Sequence, residues 1–393
     1  MDCKKLLCFS LLCFSLLPEL YGVVWVSAGG GGHRHRHRVR RSGQSLGGGD
    51  LSDSNPRKLF VFGDSYVDTG NNRKPAAKSW QYPYGITFPG KPTGRFSDGR
   101  VLTDYLAKYL RVKSPIAYKW RKVGLGQLKY GMNFAYGGTG VFNTFIMSPN
   151  MSTQIDFLQQ LIHESTYTAQ DLHYSVALIS LAGNDYGVYQ ATDGSAQSKY
   201  KKLSKEFGDF VLSLACWWQG WQPFITKVVN QLEVNLRRIH GLGVPKIVVT
   251  SLEPLGCLPS STVASSFQQC NATENLLVNF HNLLLQQSVA KLNSEVKDAS
   301  ASTFILLDLY SSFMAALNNK EDPLGNVKFE NPLKPCCVGI SSEYACGNVG
   351  ANGEKKYTIC EDPGAAFFWD EVHPSQNGWF AVYSALQANL KQL

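Results

Sequence analysis

The chain has 393 residues, 44% hydrophobic and 17% charged, so it can bury a sizeable core and is too ordinary in composition for a membrane-embedded body. Its formal charge of +8 is unevenly placed: residues 1–41 hold seven Lys/Arg against Asp2 and Glu19, leaving +3 for all that follows. That near-neutral remainder excludes an electrostatic case for a nucleic-acid partner.

Lys4 and Lys5 precede an apolar run from Leu6 to Leu17, and a second apolar stretch ends at Val26-Ser27-Ala28. A positive start, an apolar middle and a small-residue exit predict a signal peptide over residues 1–28 and export to the cell wall or extracellular space. The rival is an uncleaved anchor that would retain the chain in the Golgi, but Pro18 and Glu19 interrupt the span. After cleavage no stable membrane insertion is expected.

Residues 29–54 are rich in Gly, His and Arg without apolar periodicity, which predicts a disordered linker. Its alternating His33, His35 and His37 read as a solvated tail before a weak metal chelate, and Arg38–Arg41 also fits a basic processing site. Gly43-Gln44-Ser45-Leu46-Gly47 matches a nucleophile elbow, but that motif works only between a strand and a helix, so it is rejected.

The single folded domain is expected over residues 55–393. Leu59–Phe62 is a short apolar run ending at Gly63, and similar runs recur at Tyr130–Ala135, Val176–Leu181, Lys246–Ser251 and Thr303–Leu307. Helical spacing is clearest at Gln222–His240 and Thr273–Val296. Strands alternating with helices predict a parallel sheet covered on both faces, with chemistry at the carboxyl ends of its strands.

Ser65, in Gly63-Asp64-Ser65-Tyr66, follows the first strand, where its hydroxyl is held at the sheet edge. A serine hydroxyl needs a base within reach. Among the histidines outside the linker, His163, His240 and His281 lie in helical patterns and His173 in a polar connection. His373 alone follows a carboxylate by three residues, in Asp370-Glu371-Val372-His373-Pro374. That spacing lets Asp370 accept from one imidazole nitrogen while the other takes the serine proton, with Glu371 as the alternative orienter. Oxyanion donors are sought in the glycine pair of Ala135-Tyr136-Gly137-Gly138 and in the side chain of Asn184, although each segment also reads as an ordinary turn.

Of ten cysteines, Cys3, Cys8 and Cys13 fall in the leader. Cys257 with Cys270 makes a short loop, Cys336, Cys337, Cys346 and Cys360 make two bridges of open connectivity, and Cys216 is left over. No metal site is expected, since no C-x-x-C spacing exists. Asn150 and Asn271 head glycosylation sequons.

Together these blocks resemble the plant GDSL esterase/lipase family of the SGNH hydrolase superfamily, over roughly residues 58–391. The resemblance implies a flavodoxin-like three-layer α/β/α sandwich around a five-stranded parallel sheet, with no metal or cofactor. It also implies Ser65 as nucleophile, Asp370 and His373 as its partners, and Ser65, Gly138 and Asn184 as oxyanion donors. Tyr66 stands where the family has leucine, a departure that could reshape the acyl pocket; Tyr136 and Thr139 are larger than usual.

The implied partner is an ester substrate. Tyr118, Trp120, Trp217, Trp218 and Trp221 could serve as sugar platforms, although packing explains most of them. The reading therefore leans to O-acetyl esters of cell-wall carbohydrate. A lipase acting on acyl lipids is the alternative, and a non-catalytic glycan-binding wall protein or a serine peptidase are rivals from other classes.

Overall fold

The computed structural model describes residues 58–74, 77–192, 210–296, 302–319 and 328–393. The leader, the linker with its histidines and the rejected elbow, and the Cys216 and Trp217 side chains lie outside the described residues. The larger unit, Asn55–Gln197 with Gly220–Leu393, holds the sheet; the smaller, Met1–Ser54 with Ser198–Gln219, contributes only the start of one helix to the description.

The main sheet is wholly parallel, formed by β1 (Lys58–Gly63), β2 (Ile116–Ala117), β3 (Gly131–Asn133), β4 (Ser175–Ser180), β5 (Lys246–Thr250) and β6 (Phe304–Leu307). Their order is β2-β3-β1-β4-β5-β6. The expected five strands are thus corrected to six. The additional β2 is a two-residue edge strand paired to Met132 and Asn133, too short to carry any periodicity in sequence.

The five longer runs form strands because each is apolar and flanked by helices that bury both faces. On one face Leu59, Val61, Val176, Leu178, Val248, Ile305 and Leu307 share a buried cluster with α1 (Leu102–Tyr109), α5 (Leu309–Asn319) and α6 (Gln376–Ala385). The alternate residues Phe60, Phe62, Ala177, Ile179, Ile247 and Val249 are buried too, as a period of two requires for a sheet with no wet side. The remaining long helices are α2 (Met151–His163), α3 (Phe210–Gly241) and α4 (Ala272–Glu295). In α3, Ile225, Val228, Leu232, Leu236 and Ile239 form the buried stripe that the helical spacing predicts. His173, expected in a connection, ends a short helix, Ala169–His173, capped by Thr168.

A small antiparallel pair, β7 (Cys337–Gly339) and β8 (Tyr357–Ile359), lies near the C-terminus. Disulfides join Cys257 to Cys270, Cys336 to Cys360, and Cys337 to Cys346. The N–H groups of Cys336 and Cys337 donate to the carbonyls of Phe368 and Trp369, at 3.0 and 2.7 Å. The cross-linked segment therefore clamps the chain immediately before Asp370.

Candidate active site

Three neighbouring strands deliver the first part of the site. Ser65 follows β1, Gly138 follows β3 on one side of it, and Asn184 follows β4 on the other. The chain leaves β1 for one side of the sheet and later returns to the other, so these ends meet at a topological switch point. Gly63 makes the turn possible: its φ is +153°, and a Cβ there would lie 2.1 Å from the Ser180 carbonyl oxygen of β4.

Gly138, at φ +83°, points its backbone into the same cleft. Among the described residues, neither the Ser65 nor the Gly138 N–H donates to any acceptor. Asn184 Nδ2 donates to the Thr139 carbonyl at 2.9 Å and lies 3.4 Å from Asp64 Oδ2. The strong bond fixes the amide, and its second hydrogen is held only loosely. Ala182, two residues before, has φ 113°, a strained backbone for a residue with a Cβ, of the kind that accumulates at functional sites.

The second part comes from the loop before α6. His373 Nε2 lies 2.8 Å from Ser65 Oγ, and His373 Nδ1 lies 2.8 and 2.9 Å from the two oxygens of Asp370. Asp370 is buried, and its Oδ1 also accepts the backbone N–H groups of Val372 and His373 at 2.9 and 2.8 Å. Tyr84, a residue without a signal in sequence, donates its hydroxyl to Asp370 Oδ2 at 2.7 Å. Burial raises the Asp370 carboxyl, but the adjacent imidazole and the bonds from His373, Tyr84 and Val372 outweigh it and hold the group below its ordinary range. Phe96 stacks on the His373 ring at 5.0 Å between centroids. Glu371, the alternative orienter, contributes only its backbone carbonyl, to Ser260 N–H at 2.9 Å.

Beneath the serine lies a group of buried acids that sequence reading passed over. Burial, reinforced by Glu253, pushes the Asp64 carboxyl well up. Burial likewise pushes Glu253 up to about 7, with its own backbone, the neighbouring Tyr66 hydroxyl and His373 opposing. Asp68, buried but accepting from Gly70, Asn71 and Gly137 N–H groups at 2.7, 2.7 and 3.2 Å, stands at about 6. Tyr66 itself is buried, so its substitution for leucine acts behind the site rather than on the cleft wall.

The cleft holding Ser65, Gly138, Asn184 and His373 has a volume of about 970 Å³. The other described histidines, His163, His173, His240 and His281, do not line it. His281 is buried against the Tyr186 hydroxyl at 2.5 Å, and burial drives its pKa down to about 3. Tyr118 and Trp221 are buried as packing residues, whereas Trp120 is exposed. Asn150 and Asn271 cap α2 and α4 through their side-chain oxygens. Among the described residues no group of His, Cys, Asp and Glu is placed to hold a metal ion, and no helix is long and apolar enough to cross a membrane.

Similarity to known proteins gives both the class, the carboxylic ester hydrolases, and the family. The sequence pattern of GDSL-like Lipase/Acylhydrolase matches residues 59–215 and 219–386, and the chain belongs to that family. The chain is 55% identical to GDSL esterase/lipase At5g03610 of Arabidopsis thaliana over 337 residues, covering 85% of this chain and 87% of the relative. It is 52% identical to GDSL esterase/lipase At3g09930 of the same plant, covering 88% and 91%. A solved variant of Axe2, an acetyl xylan esterase from Geobacillus stearothermophilus, is similar at 12% identity and a TM-score of 0.34, covering 86% of this chain and 95% of that one.

Proposed function

We propose that Ser65, His373 and Asp370 act as a catalytic triad, with the N–H groups of Ser65 and Gly138 and the Asn184 amide as oxyanion donors. The observation carrying this reading is the continuous chain from Ser65 Oγ through His373, at 2.8 Å, to Asp370, at 2.8 Å. Ser65 Oγ attacks the ester carbonyl as His373 Nε2 takes its proton, and the carbonyl oxygen acquires the charge that the three donors stabilise. His373 returns the proton to the departing alcohol. It then takes a proton from water, whose oxygen attacks the acyl carbonyl, and returns that proton to Ser65 Oγ as the carboxylic acid departs. Asp370, kept ionised, holds the tautomer with Nδ1 protonated and stabilises the imidazolium.

For substrate we favour a short acyl group, foremost O-acetyl, on cell-wall carbohydrate. Two features support it. Ile146 packs so closely over Gly138 that a Cβ there would lie 2.6 Å from its Cγ1, which confines the space beside the oxyanion donors. The cleft is lined by the rings of Phe96, Tyr136 and Phe157, apolar surface against which a sugar can lie. One observation favours the acyl-lipid alternative: Phe145 and Met147, flanking Ile146, are 64% and 99% exposed.

The secretory leader over residues 1–28, the linker over 29–54, the hydrolase domain over 55–393, export to the wall and glycans on Asn150 and Asn271 belong to the same proposal. The three disulfides among the described residues support an oxidising compartment. The test is hydrolysis of p-nitrophenyl acetate and longer-chain p-nitrophenyl esters by wild type and Ser65→Ala. Wild-type activity that falls with chain length, and an inert Ser65→Ala, is expected. A Ser65→Ala enzyme that keeps wild-type activity would sink the triad, and preference for long chains would favour lipid.

A further inference from the structure

Four basic side chains, Arg73, Lys78, Lys119 and Arg121, line the cleft that holds Ser65 and His373. Among the described residues none of them forms an ion pair at 4.0 Å or less. Lys78, Lys119 and Arg121 are half-buried, so protein encloses them in part and water screens them less than it would open surface charges. Lys119 is the best anchored. Its Nζ donates to the Asn72 carbonyl at 2.6 Å and lies 4.2 Å over the Trp80 ring. Asn72 in turn donates its amide to the Gly137 carbonyl at 3.0 Å, next to the oxyanion glycine. Arg121 is laid over Tyr118, with its guanidinium carbon 3.9 Å from the ring centre.

The nearby acids leave this charge largely uncompensated. Asp370 is engaged by His373, Tyr84 and backbone N–H groups, and Asp68 is buried beneath three backbone donors. Glu371 is the remaining carboxylate on the cleft wall; burial and the neighbouring Asp370 push its carboxyl above the ordinary range, with Lys78 opposing. Burial and the neighbouring Lys74 bring the Lys119 ammonium down to about 8, against the pull of Asp68; a cation held in such a place gains from an incoming anion.

We propose that Lys119 and Arg121, with Arg73 and Lys78, form a subsite for a carboxylate on the alcohol part of the substrate, so that the preferred ester is an acylated acidic polysaccharide. The proposal rests on the ester-hydrolase reading above and specifies its substrate. A uronate ring fits the cations through its carboxylate and the aromatic surface through its apolar side, whereas a neutral polymer would leave the cations without an anionic partner.

The experiment compares kcat/KM on O-acetylated polygalacturonate and on neutral O-acetylated xylan, at 20 and 200 mM NaCl, for wild type, Lys119→Gln/Arg121→Gln and Lys119→Arg. Wild type should favour the acidic polymer by roughly tenfold at low salt and lose most of that preference at high salt. The double variant should bring the ratio near one, with an unchanged thermal midpoint, while Lys119→Arg keeps it. Equal wild-type rates on the two polymers, or a preference untouched by the double variant, would overturn the subsite. So would hydrolysis of phosphatidylglycerol vesicles in place of both polymers, which would assign the cations to a lipid surface. A wild type inert even on p-nitrophenyl acetate would instead remove the ester-hydrolase reading, and the subsite with it.

Discussion

The Tyr66 hydroxyl donates to the carbonyl oxygen of Val372 at 2.9 Å, joining the turn that carries Ser65 to the loop that carries His373 across 306 residues of chain. Its ring stacks with Phe313 and meets Trp379 and His373 edge-on, at 5.1 and 5.9 Å between centroids. A leucine here would retain apolar packing and lose the bond. Tyr66→Phe should therefore lower kcat/KM on p-nitrophenyl acetate by roughly two- to tenfold, the worth of one hydrogen bond. Tyr66→Leu should cost more, since it also removes ring contacts. Thermal midpoints measured beside the kinetics separate loss of positioning from loss of fold.

Tyr84 gives the second prediction. Its hydroxyl is one of the donors that keep Asp370 ionised, and Tyr84→Phe removes that donor while keeping the ring. A hydrogen bond to a carboxylate is worth about 1.5–3 kcal/mol, so activity should fall roughly ten- to a hundredfold. Without the bond Asp370 holds its proton more tightly, and the acid limb of the pH–rate profile should move to higher pH. An unmoved acid limb would show that the bond is structural only.

The proposed oxyanion donors differ in how they can be removed. Asn184→Ala deletes a side-chain donor and should lower kcat on the order of a hundredfold or more, with little change in KM. Gly138→Ala keeps the N–H but forces a Cβ onto a residue at φ +83°, with Ile146 Cγ1 only 2.6 Å away. It should lose both activity and about 1–2 kcal/mol of stability, read by the rate and by denaturant unfolding together.

Glu253 predicts a pH dependence of stability. Its ordinary value is 4.5, and burial in the fold pushes it to about 7. Between these values the folded protein holds a proton that the unfolded chain has released. The stabilising contribution is therefore complete below 4.5 and is lost as pH rises through about 7. Glu253→Gln, which cannot ionise, should raise the thermal midpoint at pH 8 relative to wild type and lose that advantage near pH 4.5. An unchanged difference across the range would mean that Glu253 is not the titrating group.

The disulfides support the site through the backbone. Cys336 and Cys337 bond to Phe368 and Trp369, so their cross-links hold the chain that presents Asp370. Cys337→Ser/Cys346→Ser should lower kcat/KM and destabilise the protein by about 2–5 kcal/mol, measured by activity and denaturant unfolding. A loss of stability with full activity at low temperature would uncouple the cross-link from the loop.

Where local physics sufficed, the chain was readable. Leu59–Phe62, Val176–Leu181 and Lys246–Ser251 are too apolar to be anything but buried strands between helices, and Asp370-x-x-His373 before a proline brings a carboxylate to an imidazole by loop geometry alone. Cys257 and Cys270 lie close enough along the chain to pair without knowledge of the fold. The two-residue β2 carries no such pattern, because edge pairing to Met132 and Asn133 depends on a neighbour rather than on its own residues. Tyr84 was equally silent, being an unremarkable aromatic in a loop until the fold sets it 2.7 Å from a carboxylate 286 residues away.

The sequence by itself determined the α/β class, five of the six strands and the residue types able to perform acyl transfer, because hydrophobic period and side-chain chemistry are properties of short segments. Only the tertiary structure decided that Asp370 rather than Glu371 holds His373, that Tyr66 braces the His373 loop from behind, and that four cations converge on one cleft. Those are distances between segments remote along the chain, and the order β3-β1-β4 in the sheet is what brings their ends together.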